Sequence, residues 1–205
     1  MSKIIASVSG VRGIIGDNLT PQNIIKFTSA FANYCRESSR SKIIVVGRDG
    51  RLFGKVITDI VISDLTLSGF QVIDIGVVPT PTVQIAIEDM KAAGGISVTA
   101  SHNSQIWNGL KFLNSDGTFL DELQIKGLLS FSEKRKNYYE KLENLKTTIV
   151  DDTWIEKHIK IVLNSGFVDV KKIKKHRFKI VVDAVNSSGS VIVPLLLRKL
   201  GCEVD

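Results

Sequence analysis

The chain has 205 residues, 43% hydrophobic and 23% charged, a balance that points to a globular protein with a sizeable core. Its net charge of +6 traces to one run, residues 171–179 (Lys-Lys-Ile-Lys-Lys-His-Arg-Phe-Lys); elsewhere basic and acidic residues balance. A single local run reads as a solvated connection and argues against a nucleic-acid-binding face, and the lack of eighteen consecutive apolar residues argues against a membrane helix.

At the N-terminus, Lys3 precedes only a short Ile-Ile-Ala-Ser-Val run, too brief for a signal peptide. Cys35 and Cys202 lie far apart with no Cys-x-x-Cys spacing, which predicts reduced thiols and a cytoplasmic setting. Ile4 to Val8 predicts a short strand. It runs into Ser9-Gly10-Val11-Arg12-Gly13-Ile14-Ile15-Gly16, whose glycines permit a tight backbone able to approach a phosphate. Alone, that segment reads equally as a surface turn carrying a solvated Arg12. Thr20-Pro21 predicts a helix start, and Ile24, Phe27, Phe31 and Tyr34 follow at helical spacing as a core stripe.

Ser38 to Ser41 breaks that helix, and Ile43 to Val46 is an apolar run of the interior-strand type. At its carboxyl end stands Gly47-Arg48-Asp49-Gly50-Arg51, by itself a turn with a local ion pair. Val56, Ile57, Ile60, Val61 and Leu65 mark a second helix closed by Gly69, and Gln71 to Ile75 a further strand. Val78-Pro79-Thr80-Pro81-Thr82 predicts a rigid extended turn leading into a helix through Met90.

Gly95 to Val98 predicts a buried strand that ends where Thr99-Ala100-Ser101-His102-Asn103-Ser104-Gln105-Ile106-Trp107-Asn108-Gly109-Leu110-Lys111 begins. In open α/β sheets, ligand sites collect in loops beyond the carboxyl ends of strands. This one offers a hydroxyl (Ser101), an imidazole (His102), an amide (Asn103) and an ammonium (Lys111). Gly109 would let the backbone turn or approach a ligand, and Trp107 would serve as a wall or anchor. Ser-His is an ordinary loop dipeptide, and a hydrolase triad fits poorly because the Gly-x-Ser-x-Gly elbow is missing.

Lys111 to Asn114 predicts a strand, Ser115 to Thr118 a tight turn, and Asp121-Glu122 a helix start with charges suited to its dipole. Residues 133–146 are highly charged and place a domain edge near 150. A helix over about Thr153 to Leu163, the basic run, a buried strand Phe178 to Val182, a polar loop Asp183 to Gly189, a helix to Leu200 and a strand at Cys202 to Val204 complete the chain. The class is α/β: residues 1–150 form a layered domain with a mostly parallel or mixed sheet between helices, and 151–205 begin a second, similar domain.

The stretch from Thr99 to Lys111 resembles the active-serine loop of the α-D-phosphohexomutases, the family of phosphoglucomutase, phosphomannomutase and phosphoglucosamine mutase. That pattern is Thr-Ala-Ser-His-Asn-Pro, two or three variable residues, an aromatic, Asn-Gly, one variable residue and Lys. Ser104 stands where the family usually has proline. The segments around Arg12, at Gly47–Arg51, at Pro79–Thr82 and at Asp183–Ser187 resemble further family motifs in the same order. The resemblance implies a phosphoserine at Ser101, general acid and base work by Lys111, and an orienting or polarising His102. It implies phosphate contacts from Arg12, Asn103 and Arg48, with Arg48 and Arg51 in a structural and electrostatic role beside the site.

It also implies phosphosugar and sugar bisphosphate partners. A full-length enzyme would use Mg2+, with the Ser101 phosphate among its ligands; the family's Asp-Gly-Asp-Gly-Asp metal loop does not occur in these residues. On this reading the chain is the N-terminal part of a phosphohexomutase and is inactive alone. The alternative is a non-enzymatic phosphate- or partner-binding α/β module on the same framework.

Overall fold

A computed structural model describes residues 4–8, 10–134 and 138–205; Lys3, Ser9 and part of the charged 133–146 stretch lie outside them. β1 (Ile5–Ser7) and β2 (Gly10–Ile14) open the chain as an antiparallel pair. The glycine-rich segment expected as a phosphate-approaching loop is therefore largely a strand. Its backbone groups are satisfied by neighbours on both sides, and Arg12 stands on a sheet face.

α1 (Pro21–Ser38) starts as its sequence predicts: Thr20 accepts a 3.3 Å hydrogen bond from the Asn23 amide, with proline in the first turn. Ile24, Phe27 and Phe31 are buried, while Tyr34 is half-buried and donates its hydroxyl to Asn114 Oδ1 at 2.8 Å. β3 (Ile43–Arg48), α2 (Gly54–Leu67), β4 (Gln71–Val77) and α3 (Thr80–Asp89) follow. The segment around Pro79 and Pro81 is a correction: it forms the cap and first turn of α3 rather than an extended turn, because both prolines suit a helix start.

β5 (Gly94–Val98), β6 (Trp107–Leu113) and α4 (Glu122–Lys134) come next. A reciprocal cap opens α4: the Gln124 amide donates to Asp121 Oδ1 and the Asp121 amide to Gln124 Oε1, both at 2.8 Å. β7 (Ile149–Val150), α5 (Trp154–Asn164), α6 (Val170–His176), β8 (Lys179–Ile180), α7 (Gly189–Lys199) and β9 (Glu203–Val204) end the chain.

The main sheet runs β1-β2-β6-β5-β3-β4-β7. β5, β3, β4 and β7 are parallel, and β6, β2 and β1 are antiparallel to their neighbours, so the sheet is mixed. Ile44 and Val46 join one apolar cluster with residues of α1, α2 and α4. Val45 joins the other, with residues of α3 and α5. That alternation explains the unbroken apolar run of β3, which is buried on both faces. α5 packs against α3, with Trp154 and Ile159 buried and His158 Nδ1 2.8 Å from Thr82 Oγ1.

β8 and β9 form a separate parallel pair beside α7. The expected buried strand Phe178 to Val182 is a correction: only Lys179–Ile180 pair, and Phe178 and Val181 are 47% and 81% exposed. Two strands and one helix cannot enclose both faces of an apolar strand. The basic run is exposed as expected, but much of it is the short helix α6, capped by Asp169. Among the described residues no helix is long and apolar enough to cross a membrane.

Candidate active site

β5 ends at Val98 and β6 starts at Trp107, so the loop proper spans 99–106 and its expected second half is strand. Gly109 sits in β6 opposite Arg12 of β2. A Cβ there would fall on the Val11 carbonyl oxygen and lie 3.0 Å from Arg12 Cγ. Its bare backbone thus admits β2 and the Arg12 stem, in place of the ligand approach expected from sequence. Trp107 lies half-buried in β6, outside the cleft lining.

Ser101 is exposed and adopts φ +55°, a left-handed conformation unfavourable for a residue with a Cβ. Its amide donates to Thr99 Oγ1 at 3.0 Å, and the Thr99 hydroxyl donates to Asp49 Oδ2 at 2.6 Å. Asp49 in turn pairs with Arg51, whose guanidinium donates to backbone carbonyls of the serine loop. The meeting follows from topology: β3 and β5 are parallel neighbours with Arg48 opposite Val98, so their carboxyl-end loops emerge side by side.

His102 Nδ1 stands 3.4 Å from Ser101 Oγ. Arg12 reaches the same loop, donating from Nη1 to Asn103 Oδ1 at 3.2 Å. Lys111, two residues along β6 from Gly109, shares the sheet face of Arg12. Desolvation pushes the Lys111 ammonium below the ordinary lysine range, the Arg12 charge adds to that, and Asp49 opposes it. Lys111 Nζ also stands 5.7 Å from the Phe119 ring centroid.

Ser101, His102 and Asn103 border a cleft of about 650 Å³ together with Arg48, Arg51 and Lys55. Arg48 donates to the Asp49 carbonyl at 3.1 Å. Arg12 and Lys111 lie outside this lining, on β2 and β6. Val185, Asn186 and Ser187 contribute a further wall. The Gly50 amide donates to Ser187 Oγ at 3.1 Å, and a Cβ on Gly50 would come within 2.7 Å of the Asn186 and Ser187 backbone. The sequence marks Asp183–Gly189 as a polar loop but gives no sign that it borders this cleft.

Among the described residues, no group of three or more His, Cys, Asp or Glu side chains is arranged to hold a metal ion. Asp49, which the electrostatics place near Lys111, is engaged by Arg51 and Thr99. These residues do not by themselves fit a magnesium site.

Residues 3–139 match the family model for phosphoglucomutase/phosphomannomutase, alpha/beta/alpha domain I. A phosphoglucomutase/phosphomannomutase of Thermococcus kodakarensis is 40% identical over 200 residues, covering 95% of this chain and 42% of the relative. A phosphoglucosamine/phosphogalactosamine mutase of Sulfurisphaera tokodaii is 36% identical over 199 residues, with 95% and 42% covered. The chain thus spans about 42% of the length of these curated relatives. A crystal structure of a phosphoglucomutase/phosphomannomutase family protein from Burkholderia thailandensis superposes with a TM-score of 0.75 at 25% identity, over 98% of this chain and 44% of that one.

Proposed function

The chain belongs to the phosphoglucomutase/phosphomannomutase family, and from that premise we propose that it forms the N-terminal part of a phosphohexomutase interconverting sugar 1-phosphates and 6-phosphates. The observation that carries this reading is the setting of Ser101: an exposed hydroxyl on a left-handed residue, at the rim of a cleft bearing arginine and histidine.

In this mechanism Ser101 carries the phosphoryl group. A sugar hydroxyl attacks phosphorus in line, the bond from phosphorus to Ser101 Oγ breaks, and a sugar bisphosphate forms. Its other phosphate then returns to Ser101. Such transfer depends on positioning and on neutralising charge at the phosphoryl oxygens. Arg48 on the cleft wall supplies positive charge, as does Arg12 through its bond to Asn103.

Lys111, with its ammonium easier to deprotonate than an ordinary lysine, takes the proton of the attacking hydroxyl and gives one to the departing oxygen. His102, next to Oγ, polarises that bond. Magnesium is proposed for the complete enzyme, where it would neutralise phosphate charge with the Ser101 phosphate as a ligand. The substrates are phosphosugars and the sugar bisphosphate, and the setting is cytoplasmic.

The test is intact mass with phosphosite mapping, together with Ser101→Ala in the complete enzyme. The expected result is phosphate on Ser101 and a loss of at least about 10³-fold in turnover. Near-normal turnover in that variant without another phosphosite would sink the assignment.

A further inference from the structure

The structure assigns to Arg51 the positioning of Ser101, an inference that rests on reading Ser101 as the phosphoryl carrier. The Arg51 side chain is only 12% exposed. Nη1 donates to the carbonyls of Ser104 at 2.8 Å and Trp107 at 3.1 Å. Nη2 donates to those of Ser101 at 2.7 Å and Asn103 at 2.5 Å. The remaining N–H, on Nε, makes no hydrogen bond, and that nitrogen stands 3.3 Å from Asp49 Oδ2 as an ion pair. All four Nη hydrogens are committed to the serine loop and the first residue of β6, and the charge faces one carboxylate.

Asp49 closes the arrangement from the other side. The oxygen facing Arg51 also accepts the Thr99 hydroxyl, and Thr99 Oγ1 accepts the Ser101 amide. Ser101 is therefore tied through both its carbonyl and its amide to the same ion pair. A left-handed non-glycine residue persists only where its surroundings over-determine it, and these two ties do so. Lysine cannot replace this function. Its ammonium is a point charge with three donors and cannot span four carbonyls as a planar fork does.

The chemistry gives such positioning weight, since a misplacement of about 1 Å costs on the order of 100-fold in rate. Arg51 is thus a positioning residue, acting through the loop backbone.

The experiment uses Arg51→Ala and Arg51→Lys in the complete enzyme, with steady-state kinetics, amide hydrogen exchange and thermal unfolding. For Arg51→Ala, kcat is expected to fall about 100-fold with KM within about twofold. Exchange should quicken by about tenfold or more at the Ser101, Asn103 and Trp107 amides, which bond within the loop. Added guanidinium ion should restore both readouts in Arg51→Ala, and Arg51→Lys should resemble Arg51→Ala. Unchanged exchange at those amides, an unchanged kcat, or quickening across the whole sheet would overturn the inference. Loss of the native thermal transition in both variants would also overturn it, since the role would then be global stability. A wild-type enzyme that does not turn over would refute the Ser101 reading, and the exchange data would still decide what Arg51 holds.

Discussion

Lys111 stands on β6 opposite Ser97, half-buried and within reach of the Arg12 charge, and both conditions make its ammonium easier to deprotonate. In the folded chain its pKa lies below that of the unfolded lysine, about 10.4. Below the folded pKa, the native state carries an ammonium that its surroundings disfavour. Between the two values the folded lysine is neutral while the unfolded one is still charged, so stability rises with pH across that window. Lys111→Met should therefore be more stable than wild type at pH 7, and its advantage should shrink toward pH 10. Urea unfolding from pH 6 to 10 checks this, and an advantage that grows with pH would refute it. Lys111→Arg should fold and yet not recover acid–base function, because guanidinium stays protonated. At this scale residue type and spacing mark Ser101, His102, Asn103, Lys111 and Arg12 as candidates, and the fold puts Ser101, His102 and Asn103 on one cleft with Arg12 bonded to Asn103. The left-handed Ser101 and the Arg51 clasp were not legible, since both depend on β3 and β5 being neighbours.

Pairing of β2 with β6 brings Arg12 to the serine loop, and that pairing needs Gly109. With a Cβ falling on the Val11 carbonyl, Gly109→Ala must push the strands apart. The expected cost is about 1–3 kcal/mol, the range for overpacking a well-fitted interior. Urea unfolding measures it, and a loss below about 0.5 kcal/mol, the scale of ordinary surface changes, would show that the strands give way freely. The elements that read correctly are those that local chemistry determines. Thr20 caps α1, Asp121 and Gln124 cap each other at α4, and β3 is apolar on both faces because both are covered. The elements that misread depend on partners. Gly10–Ile14 looks like a loop until β1 and β6 flank it, and Phe178–Val182 looks buried although only β9 pairs with β8. α5 carries its amphipathic pattern openly, but nothing in that pattern names α3 as the surface that Trp154 and Ile159 face.

For the molecule as a whole, the 205-residue chain taken alone is expected not to catalyse the mutase reaction. Uncatalysed phosphate-monoester chemistry is among the slowest known, and enzymes accelerate it by up to about 10²¹-fold. Mutase catalysis would draw on charge neutralisation at the phosphoryl group and on holding the sugar hydroxyl in line with it. On the proposed reading Arg12, Arg48 and Lys111 would serve the first need, and the described residues include no metal-holding cluster beside them. For the second the chain offers an open cleft between the serine loop and Asn186–Ser187, with the largest part of its wall from residues 48–55. With the cleft open on one side, the expectation is that a sugar phosphate is not held in line there and that the proximity contribution of roughly 7–11 kcal/mol is largely forfeited. Folding of the main sheet is not the obstacle, because apolar clusters cover both its faces. The check is an assay of the purified 205-residue chain with magnesium, glucose 1-phosphate and a catalytic sugar bisphosphate. A Ser101→Ala control runs beside it, and circular dichroism confirms that both are folded. Turnover above that control would mean that the serine loop, its arginines and Lys111 are a sufficient catalyst, and the requirement for further binding and metal groups would fall.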